Sequence, residues 1–215
     1  MEHVSVSETR LPSDLLARLR PGGPEPRDEV WGGELHMVPP PHSEHGRLEL
    51  KLGAFFDLHW EQPGLGLVCL EAGVKRPGTQ QVEVLGRRLP SDYRTPDLSL
   101  VLPGRFERLV DGWIVGGPDV VIEVESPGDE SRAKLPFYLE VGVREVVLID
   151  RDERRVQLLR ATPSGWTTVP ATADGWLRSQ LLRTELRTEP PTGPGRPPAL
   201  RLRRSDDPSR EAVIG

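Results

Sequence analysis

The sequence predicts an α/β fold in which a mixed sheet is flanked by a few helices. Between Glu44 and Trp60, large apolar residues recur every three or four positions, which is typical of an amphipathic helix. Farther along, short apolar runs bounded by Pro and Gly are typical of strands, and the clearest are 118–125 and 145–150. A second helix is expected between those two strands.

An N-terminal extension, residues 1–27, is expected to precede the domain. It contains a short amphipathic segment over residues 14–19, which Ser13 could cap, and it passes through a Pro/Gly break over residues 21–24. The domain itself is expected to cover residues 28–186.

The domain is expected to begin with a hairpin and a helix. Residues 30–38 are typical of a short hairpin, with Gly32 and Gly33 available for a tight turn. Ser43 is predicted to cap the long helix. The remaining strands are predicted at residues 67–72, 81–85, 97–102, 118–125, 145–150 and 154–160.

Pro136 locates the start of the second helix. Proline is tolerated in the first turn of a helix and disrupts later turns, so this helix is predicted to begin near Lys134 and to end at Gly142. Lys134 is therefore expected beside the end of a strand.

Residues 187–215 are predicted to form a disordered tail rich in Pro and Arg, because the segment shows almost no apolar periodicity. This tail carries six Arg against four acidic residues, so its charge is +2 and the preceding body carries −7. The arginines could contact a polyanion, but a solvated tail is the interpretation preferred here.

Composition limits the classes of function. The net charge is −5, and the sequence contains no apolar run of the length that crosses a membrane. The first residues lack the pattern of an export signal, so a cytoplasmic location is expected. Because nucleic-acid binding proteins usually carry excess Lys and Arg, any nucleic-acid contact is expected to be local or mediated by a metal ion. The single cysteine, Cys69, is expected to be a small buried residue.

Acidic side chains are expected to collect on one face of two strands. Alternation along residues 118–125 puts Glu123 and Glu125 on the same face. Asp97 joins them if its strand pairs with this one. Carboxylates held together repel one another unless a cation neutralises them, and Mg²⁺ or Mn²⁺ suits oxygen ligands. Lys134 would add positive charge nearby.

The same alternation also describes an ordinary strand with one dry face and one solvated face. Alternation alone favours that simpler interpretation. The Ser-Pro-Gly turn after Glu125 and the lysine-bearing helix start that follows favour a site, because they bring acids and a base together.

These segments resemble a known family. The motif Thr-Pro-Asp-Leu at residues 95–98, the run from Pro118 to Asp129, and the run from Lys134 to Asp150 are similar to the Uma-two group of restriction endonucleases. That group is a bacterial branch of the PD-(D/E)XK nuclease superfamily. The similarity covers about residues 31–160 and implies a restriction-endonuclease-like fold.

The resemblance implies roles for individual residues. Asp97 would be the first metal carboxylate, Glu123 the second, and Lys134 the catalytic lysine. The superfamily pattern has a lysine two residues after the Glu, where this chain has Glu125, so Lys134 is expected to supply that group from the helix. Glu125 could be a third ligand or could face water.

Two further residues could border the site by the same resemblance, Glu34 on the hairpin and His45 at the start of the helix. The activity implied is that of an endonuclease that hydrolyses phosphodiester bonds in DNA with Mg²⁺ or Mn²⁺. A catalytically inactive binding or scaffolding member of the same fold is the alternative. A homodimer would suit duplex cleavage, although no residue demonstrates one.

Overall fold

The computed structural model describes residues 18–193 and 195–215. The predicted cap Ser13 and most of the amphipathic segment over residues 14–19 lie outside the described residues. The strands, in chain order, are β1 (Glu29–Trp31), β2 (Glu34–His36), β3 (Leu67–Leu70), β4 (Val74–Lys75), β5 (Gln81–Val84), β6 (Arg87–Pro90), β7 (Tyr93–Arg94), β8 (Leu98–Val101), β9 (Leu109–Val110), β10 (Trp113–Val115), β11 (Val120–Glu125), β12 (Glu145–Asp150), β13 (Val156–Thr162), β14 (Gly165–Thr168), β15 (Leu177–Ser179), β16 (Thr184–Glu189), β17 (Ala199–Arg204) and β18 (Glu211–Ile214).

Helices are few. In the described part of the chain after residue 19, the helical elements are α1 (Ser43–Phe56), a π-helical turn (Asp57–Glu61), two 3₁₀ segments (Pro103–Arg108 and Ser131–Lys134) and α2 (Leu135–Glu140). Among the residues that the structure describes, no helix is both long and apolar enough to cross a membrane.

The central sheet has the strand order β14-β13-β12-β11-β8-β3. β11 and β12 pair in parallel along their full length, whereas every other neighbouring pair is antiparallel. A parallel pair needs a crossover connection, and α2 with the 3₁₀ segment before it provides this connection. This mixed sheet with its few helices confirms the predicted fold class.

Each face of β11 contacts a different part of the core. Val120, Ile122 and Val124 pack in the cluster that contains the apolar side of α1. Val121 packs on the opposite face with Phe137 and Tyr138 of α2. Because side chains alternate along a strand, Glu123 shares the α2 face with Val121.

A second six-stranded sheet, with the order β2-β1-β7-β4-β10-β9, is built on the predicted hairpin. Gly32 and Gly33 form its turn with φ angles of 57° and 93°, in the left-handed region that favours glycine. β7 pairs with β1 and ends just before Thr95, so this sheet places the hairpin beside the start of β8.

Helix α1 begins at Ser43, and the residue that caps it is His42. The Nδ1 atom of His42 accepts a hydrogen bond from the backbone N–H of Glu44 at 3.2 Å. The prediction that Ser43 is the cap is therefore wrong. The imidazole nitrogen satisfies the free N–H that a hydroxyl oxygen was expected to satisfy.

The prediction of a disordered tail is also wrong. The strands β15, β16, β17 and β18 form a four-stranded antiparallel sheet, and the expected domain boundary at residue 186 falls inside β16. Leu200, Leu202 and Ile214 are buried in the cluster that includes α1.

The tail folds because β17 alternates strictly. Leu200 and Leu202 face the core, while Arg201 and Arg203 face outward and form ion pairs with acids on neighbouring strands. The high Arg and Pro content of this segment suggested disorder, although its residues alternate as in a strand with one buried face.

Candidate active site

Asp97 lies immediately before β8 and is 4% exposed. Because Leu98 pairs with Ile122 in the antiparallel β8–β11 ladder, Asp97 lies beside Glu123 and Val124. Its Oδ2 atom accepts a hydrogen bond of 2.6 Å from the backbone N–H of Val124. Its Oδ1 atom lies 3.1 Å from Nε2 of His45. The carboxylate is thus fixed to the central sheet by one oxygen and faces α1 with the other.

Glu123 is fully enclosed between the sheet and α2. Its Oε1 atom accepts a hydrogen bond from the hydroxyl of Tyr138 and lies 3.2 Å from Nζ of Lys134. Burial raises the pKa of Glu123, and the positive charge of Lys134 opposes that shift. Lys134 and Tyr138 therefore restrict this carboxyl group to one position.

Lys134 reaches the site from the junction of the 3₁₀ segment and α2. The predicted helix start is confirmed, since α2 begins at Leu135 with Pro136 in its first turn. The Nζ atom lies 3.0 Å from Oε1 of Glu29 and 3.4 Å from the carbonyl oxygen of Thr95. Burial alone would lower the pKa of Lys134, but the charges of Glu123 and Glu29 raise it well above its ordinary value. This side chain is therefore an ammonium ion at neutral pH.

Helix α1 contributes two more polar groups. His45 and Glu49 are one helical turn apart, and both are buried although they are polar. The Nε2 atom of His45 lies 3.5 Å from Oε1 of Glu49, and that oxygen has no hydrogen-bond partner. This buried oxygen has only long ion-pair contacts, with His45 at 3.5 Å and Arg27 at 3.4 Å, so a directly bound cation would satisfy it better.

The side chains of His45, Glu49 and Asp97 each offer one ligand atom, and these atoms lie within 4.8 Å of one another. An imidazole with two carboxylates is a donor set that suits divalent ions such as Mn²⁺, and carboxylates alone suit Mg²⁺. Because Oε1 of Glu49 also accepts no hydrogen bond, this donor set fits a divalent metal ion.

His45 is held between the site and the turn after β11. Its Nδ1 atom lies 3.2 Å from the hydroxyl oxygen of Ser126. Burial would lower the pKa of His45, but the hydrogen bond to Asp97 and the negative charge of Glu49 raise it to about 9. Burial would raise the pKa of Asp97, but the hydrogen bond and charge of His45, with Lys134, hold it below its ordinary value. Because Nε2 faces two carboxylates, His45 is the protonated donor to Asp97 while no metal ion is bound, and Nε2 must lose this proton before it can bind a metal ion.

Arg27 enters the same group from the segment before β1. Its Nη2 atom lies 2.9 Å from Oδ1 of Asp97 and 3.2 Å from Nε2 of His45. Because His45 is protonated, the separation of 3.2 Å brings two cations close together, and both contact Oδ1 of Asp97. The Nη1 atom lies 3.4 Å from Oε1 of Glu49 and 2.6 Å from Oε1 of Glu71.

The other residues expected at the site lie elsewhere or at its margin. Glu125 is half-buried and forms an ion pair with Arg132, with Nε and Oε1 at 2.7 Å. Burial raises the pKa of Glu125, and Arg132 opposes that shift. Glu34 is exposed on β2, the edge strand of the second sheet. In that hairpin Glu29 contacts Lys134.

Sequence reasoning missed three residues of this site. Glu49 carried a signal, because it follows His45 by one helical turn and lies beside the apolar residues of the predicted helix. Glu29 and Arg27 carried none, because their contacts depend on how the second sheet meets the central sheet.

Comparisons with known proteins agree with this architecture. Residues 13–189 match the family model described as "Uma2: Putative restriction endonuclease". The fold is similar to the crystal structure of a "putative nuclease belonging to DUF820" from Anabaena variabilis, with a TM-score of 0.57 and 19% sequence identity over 80% of this chain and 90% of that one. No curated protein matches the sequence. The family model covers most of the chain, so this protein belongs to the Uma2 family.

Proposed function

We propose that the protein is an endonuclease that hydrolyses phosphodiester bonds in DNA with a divalent metal ion. The observation that carries the proposal is the contact between Lys134 and Glu123, which holds an ammonium ion one strand away from the His45, Glu49 and Asp97 donors. An ammonium ion beside a carboxylate metal site suits phosphodiester cleavage, since it stabilises the negative charge that accumulates on the phosphate.

Asp97 is the proposed central metal ligand, with His45 and Glu49 as donors from α1 and Glu123 as the second carboxylate expected from the family resemblance. Either Mg²⁺ or Mn²⁺ is the proposed cofactor, and the imidazole favours Mn²⁺. When bound, such an ion polarises the phosphate and lowers the pKa of a water molecule that it binds.

Lys134 is proposed to stabilise the charge that develops on the phosphate. It cannot act as a general base, because its raised pKa keeps it protonated. Tyr138 and Lys134 both contact Oε1 of Glu123, so they are proposed to orient that carboxylate toward the metal side.

The proposed metal site also offsets the negative net charge of the protein at the point where DNA would bind. A protein with a net charge of −5 has little general attraction for a polyanion. Cations concentrated at one site provide the local contact with phosphate that the overall charge does not provide.

Cleavage of supercoiled plasmid tests the proposal. Wild-type protein with Mg²⁺ or Mn²⁺ should nick or linearise the plasmid, and Asp97→Ala and Lys134→Ala proteins should not. Glu125→Gln is the matched control, because Glu125 lies on the same strand as Glu123 but pairs with Arg132. Equal cleavage by wild type and the first two variants would refute the assignment.

The alternative is a non-catalytic binding or scaffolding protein of the same fold. Its specific support is the negative net charge, which opposes affinity for DNA. Calorimetric titration with Mn²⁺ separates the two proposals, because a pure scaffold has no reason to bind the ion through His45, Glu49 and Asp97. A homodimer remains a proposal, suited to cleavage of both strands, and its test is the mass of the protein in solution.

A further inference from the structure

We infer that Arg27 is a built-in cation that occupies the metal-donor group and must leave before a divalent ion binds. This inference rests on the metal site of the proposed function and concerns its regulation. The guanidinium group contacts all three residues of the donor group, Asp97, His45 and Glu49.

The contacts of Arg27 involve the atoms that would bind a metal ion. Its two terminal nitrogens lie 2.9 Å from Oδ1 of Asp97 and 3.4 Å from Oε1 of Glu49. The second of these oxygens is the buried atom that has no hydrogen-bond partner. A guanidinium cannot lose its charge in a protein, so in this position it repels a divalent ion that approaches the same oxygens.

The backbone beside Arg27 is fixed. Asp28 is completely buried and accepts hydrogen bonds from the side chain of Arg20 and from the backbone N–H groups of Glu25 and Val38. Arg27 can therefore leave the metal-donor group by rotation of its side chain, without unfolding of the segment that carries it.

Glu71 can hold the guanidinium group of Arg27 after it leaves the donor group. Its side chain is 39% exposed at the rim of the site and already contacts Nη1 of Arg27 at 2.6 Å. The side chain of Arg27 itself is 21% exposed, so it reaches solvent from its present position. Arg27 can thus exchange its inner partners for water while it keeps its outer one.

Calorimetric titration of the full chain with Mn²⁺ tests this competition. Arg27→Gln should bind Mn²⁺ at least about tenfold more tightly than wild type, because ion binding no longer has to displace a cation. Arg27→Lys keeps the charge but loses the two-pronged contact, so its affinity should lie between the two. Arg144→Gln is the matched control, since Arg144 pairs with Asp119 away from the donor group, and its affinity should equal that of wild type.

Equal or weaker Mn²⁺ binding by Arg27→Gln would overturn the inference. If that variant does not fold, Arg27→Lys decides: tighter binding than wild type supports the inference, and equal or weaker binding overturns it.

Plasmid cleavage separates this outcome from the proposed function. Tighter Mn²⁺ binding without cleavage by any variant would refute the nuclease and keep the role of Arg27, whereas cleavage by wild type without tighter binding would refute Arg27 alone. Absence of Mn²⁺ binding in every variant would overturn both.

Discussion

Asp97 accepts a hydrogen bond from the backbone N–H of Val124, the residue that follows Glu123, at 2.6 Å. This bond joins the residue before β8 to the C-terminal end of β11, so it holds the two carboxylates expected from the family resemblance beside each other. Because Oδ2 is used in this way, Oδ1 is the oxygen that faces His45 and Arg27. The two oxygens of Asp97 thus have different functions: Oδ2 fixes the side chain to β11, and Oδ1 is directed at the donor group.

Replacement of Asp97 by Asn should separate these tasks. The amide oxygen can still accept the Val124 N–H, so the fold should survive, but the charge that attracts a metal ion is lost. We expect Mn²⁺ affinity to fall by at least about 100-fold, since even residues outside the ligand shell affect affinity by ~10–100-fold. Calorimetry provides the measurement.

Ser99→Ala is the matched control for Asp97→Asn. Ser99 lies on β8 two residues from Asp97, is fully buried, and its hydroxyl oxygen has no hydrogen-bond partner. Its removal should leave Mn²⁺ affinity unchanged. If Asp97→Asn binds Mn²⁺ as tightly as Ser99→Ala, then Asp97 is not a ligand.

Lys134→Gln should damage both stability and activity. The change leaves Glu29 and Glu123 buried without their shared cation, and loss of one partner from a buried ion pair costs about 3–5 kcal/mol. Urea unfolding measures this loss. Cleavage should fall on the order of 10²–10³-fold, as for removal of one group that stabilises transition-state charge.

The double variant Glu29→Gln with Lys134→Gln distinguishes the two effects. Removal of one of the two carboxylates should restore part of the lost free energy of unfolding, because less negative charge is then left unpaired. Cleavage should stay low, since the ammonium ion is still absent. Recovery of cleavage together with stability would show that Lys134 has only a structural role.

Local patterns predicted much of the central sheet and its helices. Pro136 correctly located the start of α2, and apolar alternation located β11 and β12, because both depend on neighbours in the chain. Glu29 and Arg27 could not be predicted at the site, because their positions depend on the pairing of β1 with β7. That pairing joins segments about sixty residues apart, and no local pattern records it.

The two tyrosines should resist ionisation in alkaline solution. Burial raises the pKa of Tyr93 to about 12, and its hydroxyl donates to the carbonyl oxygen of Asp28. Burial likewise raises the pKa of Tyr138 well above its ordinary value. Ultraviolet titration of the folded protein should therefore show no phenolate at pH 10, where an unfolded chain shows half-ionised tyrosine.

The sign of the effect on stability follows from these shifts. Between pH 10 and about 12 the folded protein retains a proton on Tyr93 that the unfolded chain has lost, so the free energy of unfolding should fall as pH rises through this range. Tyr93→Phe should show a shallower fall, although its stability at neutral pH is lower because the hydrogen bond to Asp28 is lost. An equal slope in both proteins would contradict the assignment.

The C-terminal sheet should be essential for stability, although its composition suggests a tail. Leu202→Ala removes a fully buried side chain from the cluster that packs against α1, and we expect the free energy of unfolding to fall by about 2–5 kcal/mol.

Arg201→Gln is the matched control for Leu202→Ala, because Arg201 is the outward-facing neighbour of Leu202 on β17. The ion pairs of Arg201 with Glu189 and Glu211 are partly exposed. Its loss should stay below about 1 kcal/mol. Urea unfolding of the two variants gives both numbers, and equal losses would mean that β17 does not pack on the core. Since α1 also carries His45 and Glu49, Leu202→Ala should weaken Mn²⁺ binding as well, even though Leu202 contacts no metal donor.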